Sequence, residues 1–154
     1  PINVGDKSVT IHRKISLDAN SPFTYQEYTL EGFEGKLEVA AGIVLHDVKA
    51  RSYGSDYVAI TEPASDSKQP DIDGDISLAV ILQGAVSTTE IDSHIAATRH
   101  VQAGETIRMW NGSAWSQAGI ENHDEWIRKV EQAKQRIESP LHAQYIKRRE
   151  AINK

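Results

Sequence analysis

The chain of 154 residues contains no cysteine, which excludes a disulfide framework, a thiol nucleophile and any thiolate metal site. That composition suits a reducing, cytosolic origin. No apolar stretch approaches the roughly 20 residues that span a bilayer, so no membrane helix is expected. The amino end carries no signal-peptide pattern. A basic excess is also missing: 17 Lys and Arg face 22 Asp and Glu, for a net charge of −5. Nucleic-acid binding runs on Lys and Arg neutralising phosphates, so an acidic chain argues against that class of partner. The six histidines form no H-E-x-x-H, and no serine sits in a G-x-S-x-G elbow. Gly32 and Gly35 lack the Lys-Ser/Thr that would complete a phosphate cradle. No catalytic residue, cofactor or metal is therefore expected, and the chain reads as something other than an enzyme.

What is present divides near residue 120. Before it, short apolar runs are punctuated by Gly, Pro and Ser, the grammar of a β-rich domain. After it, 122–154 holds no Gly and one Pro. From Glu121 onward there are eight basic and six acidic residues, so the acidic excess lies in the body. Residues 1–10 read as an N-terminal arm, 11–120 as the β-rich domain and 121–154 as a helical extension. The expected fold class is α+β: a small β-rich domain with one short helix and a C-terminal helical extension.

Val9, Ile11, Ile15 and Leu17 share one parity, which predicts a half-buried strand. Strands are also expected at Phe23–Leu30, within 37–48 and at 56–61. Gly42-Ile-Val-Leu45 lacks polar alternation and so predicts burial on both faces. Residues 62–75, rich in Pro, Ser and Asp, read as a long surface loop. Ile76–Val86 is the most hydrophobic run and the choice for a central strand, with Gly84 marking a bulge or a close backbone approach. Ser87-Thr-Thr-Glu90 fits a capping box and predicts a helix from Thr88 to about Arg99 with His94 on its apolar side. Asn111-Gly112 predicts a two-residue hairpin turn that sets Arg108 opposite Trp115. Asn122-x-x-Glu125 offers a second capping box. Trp126, Val130, Ala133 and Ile137 then follow at heptad-like spacing. Ser139-Pro140 would start a further helix lined by Leu141, Tyr145, Ile146 and Ile152.

Each candidate for chemistry has a plainer structural reading beside it. Asp71, Asp73 and Asp75 could converge on a hard cation, but Gly74 and Leu82 do not fit a calcium loop, and an acidic surface loop suffices. His46-Asp47 could be an acid–base pair or a hydrogen-bonded strand end. Trp110 and Trp115 could stack on a sugar or cover the core face of their own hairpin. Lys147, Arg148 and Arg149 could meet an acidic partner or form a solvated face. The Trp126 stripe must pack either on the β body or on another subunit, since a lone helix cannot bury it.

Three pieces in this order resemble tailed-bacteriophage head decoration proteins, also called capsid cement or head fibre proteins. They are Ala40-Ala-Gly-Ile-Val-Leu-His-Asp-Val48, then Ile76-Ser-Leu-Ala-Val-Ile-Leu-Gln-Gly-Ala-Val86 leading into the capped segment Thr88–Arg99, then Gly104-Glu-Thr-Ile107. That family carries an Ala-x-Gly-Ile-Leu element, a loop with a variable insert, an apolar strand ending in Gly-x-Val, a short helix and a closing strand. The resemblance covers residues 37–110, about half the chain, and the tail from Asn122 departs from it.

The resemblance implies a structural virion protein, made in the host cytoplasm, that binds the outside of an assembled capsid and stabilises it. Its implied partners are the major capsid protein and further copies of itself, as a homotrimer, with neither nucleic acid nor membrane involved. The residues expected to meet partners are Ile2, Val4 and Val9 in the arm and Trp126, Val130 and Ile137 in the tail. The alternative from another class is a carbohydrate- or receptor-binding module of a virion or cell surface.

Overall fold

A computed structural model describes residues 1–65, 67, 69 and 72–141. Among these residues the chain is β-rich: ten strands form two antiparallel sheets, and one α-helix lies near the C-terminus. The strands are β1 (Ile2–Val4), β2 (Lys7–Leu17), β3 (Phe23–Glu31), β4 (Lys36–Val44), β5 (Ala50–Tyr53), β6 (Tyr57–Pro63), β7 (Asp75–Leu82), β8 (Ser87–Ile91), β9 (His94–Gln102) and β10 (Thr106–Trp115). The helix α1 spans His123–Glu138. Seven strands make the larger sheet in the order β1-β2-β3-β10-β7-β6-β5, and three make the smaller, β4-β9-β8.

Strand periodicity builds a three-layer arrangement. Alternate residues of the large sheet point to opposite faces. One face sends Val9, Leu30, Val58, Ile60, Val80, Leu82 and Ile107 against Ala41, Ile43, Ile95, Ala97 and Val101 of the small sheet. The other face sends Phe23, Tyr57, Ala59, Ala79 and Ile81 against α1. β7 is interior and apolar on both faces, as its sequence requires.

α1 starts where the sequence places it. The Asn122 carboxamide oxygen accepts from the Glu125 N–H at 3.0 Å, and the Glu125 carboxylate accepts from the Glu121 N–H at 3.0 Å. Trp126 and Val130 are fully buried, so this stripe is covered by the chain's own sheet. The Trp126 indole lies nearly parallel to the Phe23 ring, with centroids 5.4 Å apart, and its N–H donates to the Leu78 carbonyl at 3.1 Å. Gly112 makes that stack possible. It is the cross-strand partner of Phe23, and a Cβ added to it would stand 2.4 Å from the Phe23 ring and 3.0 Å from the Trp126 indole.

Several sequence expectations are corrected. Asn111 and Gly112 do not turn the chain. They lie inside β10, paired with β3 on one side and β7 on the other, because the glycine is needed under an aromatic ring. Arg108 consequently faces Glu27, not Trp115. The segment from Thr88 to Arg99 is the β8–β9 hairpin, not a helix. Asp92 and Ser93 both adopt positive φ (46° and 63°), the geometry of a two-residue primed turn, while Ile95 and Ala97 alternate into the core. His94 thus stands exposed at a strand start, its Nδ1 2.8 Å from the Asp92 carbonyl.

Gly42–Leu45 is not buried on both faces. It ends an edge strand, with Ile43 inward and Val44 exposed. The first ten residues are not an arm, since β1 folds back on β2 through Gly5 and Asp6. The proposed second tail helix, with Tyr145, Ile146, Lys147, Arg148, Arg149 and Ile152, lies outside the described residues.

Replacing Gly112 with Ala should destabilise the fold by about 1–3 kcal/mol through overpacking against Phe23 and Trp126. Trp126→Ala should cost about 3–5 kcal/mol. Urea denaturation followed by far-UV circular dichroism measures both, and unchanged midpoints would contradict the packing described.

Candidate functional site

The two layers covering the large sheet differ in width from it. The small sheet packs over β6 and β7. At one end of β2, β3 and β10 the inner face is covered, with Val9, Leu30 and Ile107 buried against the small sheet; beyond them, among the described residues, no layer lies over the row of β2 that follows Val9 or over the far end of β10. Asn111 and Ser113 of the interior strand β10 are exposed on this face. Along β2 the inward parity of Val9 continues through Ile11, Arg13, Ile15 and Leu17. Ile11, Ile15 and Leu17 are 39%, 52% and 68% exposed, and Ile2 and Val4 on the adjoining hairpin 51% and 40%. Between them Arg13 donates to the Gln26 side chain at 2.8 Å and lies over the Tyr28 ring, whose hydroxyl also bonds Gln26.

This face ends in a groove of about 460 Å³. Its floor is Tyr28, Leu30, Leu82, Ile107 and Met109, and one wall is the β1–β2 hairpin. The other wall is β4, an edge strand. The bond from the Leu45 N–H to the Ser93 carbonyl sets the phase of the β4–β9 ladder. Odd-numbered residues of β4 therefore bond β9, and the main-chain groups of Glu38, Ala40 and Gly42 point out along an edge that no described strand pairs.

The expected partner residues separate on this map. Ile2 and Val4 border the groove and are exposed, whereas Val9 beside them is buried in the core. Trp126 and Val130 are consumed by α1 packing, and Ile137 is part-buried at the end of the same cluster. Sequence reasoning placed Ile11, Ile15 and Leu17 on the buried side of a half-buried strand, whereas in the structure all three are exposed. Their alternation, interrupted at Arg13, signals a buried face, but among the described residues no layer reaches over them.

The remaining candidates for chemistry disperse. Trp110 and Trp115 have opposite parity on β10 and cannot share a ligand face. Trp110 meets Tyr25 with centroids 5.1 Å apart, whereas the Trp115 indole N–H donates to the Asp73 carbonyl at 2.5 Å. His46 faces Glu62 at 3.4 Å and is exposed. Asp75 pairs with Lys49 at 2.5 Å and Asp73 accepts from the Gln69 N–H, while Asp71 lies outside the described residues. No group of three His, Asp or Glu among the described residues is placed to hold a metal ion. No helix among them is long and apolar enough to cross a membrane.

One titratable cluster is structural. His123, at the start of α1, contacts Thr61 Oγ1 through Nδ1 at 2.8 Å and Ser52 Oγ through Nε2 at 2.9 Å. Thr61 in turn bonds Ser77 at 2.7 Å. Removal from water holds the His123 pKa below its ordinary value, against the opposing pull of the Asp124 charge. Nearby, burial beneath the helix and the Glu131 carboxylate push the Tyr57 phenol up to about 12, so it stays protonated.

The fold and its open face define a class: a β-sandwich module with an unequal pair of sheets and a docked helix. Within that class, residues 1–143 match the family described as Domain of unknown function (DUF4861), and the chain belongs to it. No curated protein matches the chain.

The lowered His123 pKa carries a definite pH sign. The unfolded chain takes up this proton near pH 6.5, and the folded chain resists it. Stability should be fully present above about pH 6.5 and decline as pH falls from there through the folded value. Urea midpoints at pH 7.5 and 5.0 should differ less in His123→Gln than in the parent chain; equal differences would remove His123 as the cause.

Proposed function

We propose that this chain is a structural assembly module, which acts by joining other polypeptide and carries out no reaction of its own. The observation that carries the reading is the uncovered part of the inner face: Ile2, Val4 and Ile11 are exposed around the groove beside β4, whose outer edge is unpaired among the described residues, and Ile15 and Leu17 continue the exposed row along β2 past Arg13. A contiguous apolar patch rimmed by polar groups marks an interaction site. An open edge offers main-chain donors and acceptors to an added strand. The occupant that suits both is a β-strand of another protein chain. Its backbone would pair with Glu38, Ala40 and Gly42, and its alternate apolar side chains would fill the groove toward Tyr28 and Met109. A stable contact of this kind buries about 1,600 Å² in total, more than the groove supplies, so the exposed row of β2 would take part as well.

Decoration of a phage capsid is the particular form of assembly that the resemblance implies, with the major capsid protein or a second copy as the occupant. The exposed β1–β2 hairpin is what supports it. Against it stands the β8–β9 hairpin, which occupies the place where that family's pattern has a short helix. The general reading, docking onto protein through the open sandwich face, does not depend on that correspondence.

Light scattering should find the chain self-associated at about 100 μM, and Ile15→Asp with Leu17→Asp should return it to monomers. Both positions are exposed, so thermal stability should change by no more than about 0.5 kcal/mol. A parent chain that stays monomeric at this concentration, and that undecorated capsids also fail to co-sediment, would end the assembly reading.

A further inference from the structure

On the opposite side of the large sheet a second concavity of about 400 Å³ lies between α1 and the β2–β3 loop. That volume falls in the range of small-ligand sites. Its floor is aromatic. Tyr25 and Trp110 are cross-strand partners, both half-buried, with ring planes inclined at 43°. The Tyr25 ring is held in place by its hydroxyl, which donates to Glu27 at 2.6 Å. Glu27 is in turn within 3.5 Å of the Arg108 guanidinium. The hydrogen bond from Tyr25 keeps the Glu27 carboxyl below the usual carboxylate range, so it remains an ionised acceptor.

The walls differ in charge. α1 turns Lys129, Gln132 and Arg136 toward the hollow, at positions three and four apart that share one helix face. Among the described residues neither Lys129 nor Arg136 lies within 4.0 Å of a carboxylate oxygen, whereas Lys134 on the neighbouring helix stripe is engaged by Asp56 at 3.1 Å. The opposite wall offers Ser16, Asp18 and Asn20, which supply hydroxyl, carboxylate and amide groups.

We infer that this hollow binds an acidic sugar residue, stacked on Trp110 and Tyr25 with its anionic group held by Lys129 and Arg136. The combination sets the ligand chemistry. A flat, weakly apolar face suits an aromatic floor with an amphipathic rim. Short polar side chains suit ring hydroxyls. Two cations without an ion-pair partner among the described residues suit a carboxylate or sulfate, which a guanidinium can engage through two parallel N–H groups. A nucleotide phosphate is best met by the backbone N–H groups of a helix N-terminus, and α1 faces this hollow with residues 129–136 instead. The site uses neither the groove nor the β4 edge, so it stands or falls separately from assembly.

The test is titration of the full chain with trigalacturonate, a sulfated galactose disaccharide and neutral galactotriose, read by tryptophan fluorescence and calorimetry. At least one acidic sugar should saturate in the millimolar range or tighter and bind about tenfold more tightly than the neutral one. Added salt should weaken it. Lys129→Ala with Arg136→Ala should reduce acidic-sugar affinity by about tenfold. Because both residues are exposed on the helix, the urea midpoint should hold, so the loss reports binding and not unfolding. Trp110→Ala should abolish binding of every sugar. Carboxylate and sulfate specificity separate by which acidic probe binds. No binding of either acidic sugar at about 10 mM overturns the inference, as does equal affinity for galactotriose or an unaltered affinity in the double variant.

Discussion

A mismatch of widths governs this molecule. Among the described residues seven strands are hydrogen-bonded into one sheet, but the opposing sheet has three and the other face has a single helix. Apolar side chains that alternate along a strand need a layer above them, and the layers present reach only part of the way. Where the small sheet lies over β6 and β7, residues such as Val58, Ile60 and Leu82 are almost fully withdrawn from water. Where it stops, the same alternation along β2 leaves Ile15 and Leu17 in solvent. The groove, the free β4 edge and the polar triad Arg13–Gln26–Tyr28 are all consequences of where that second layer ends.

The helical side shows the opposite economy. One helix covers a smaller apolar area than a sheet does, so its contact is concentrated in Trp126 and Val130. The indole is accommodated by removing a side chain opposite it, at Gly112, and stacking on Phe23. Around this plug sit polar contacts that fix the helix start: the Asn122 cap and the His123–Thr61–Ser77 chain. With α1 seated there, its Lys129–Arg136 face stands over Tyr25 and Trp110, and a concave polar site arises beside an otherwise structural contact.

Much of the strand pattern was legible in the residues. β2, β3, β6 and β7 follow from alternation or apolar runs, and α1 from the Asn122-x-x-Glu125 cap. The failures share a cause. Ser87–Glu90 satisfies a helix cap locally, yet the chain turns at Asp92-Ser93 because Ile95 and Ala97 gain more by pairing against β4 and facing the core. Asn111-Gly112 carries the local signature of a turn, but the glycine answers a steric demand made by Phe23 and Trp126, which lie 89 and 14 residues away along the chain. Of the candidate sites, Trp110 was visible as an aromatic residue. Its partners Tyr25, Lys129 and Arg136 were not, since strand pairing and helix docking bring them together.

From its residues alone this chain was determined to be β-rich, without thiol chemistry, with a capped helix near its end carrying a tryptophan stripe. Composition, period and cap are local properties, and local physics suffices to read them. The tertiary structure decided which apolar rows are covered and which are left open, that the tryptophan stripe closes on its own sheet, and which charged side chains face an aromatic floor. Those outcomes depend on strand order and on the extent of each layer, quantities set by long-range pairing that no window of sequence contains.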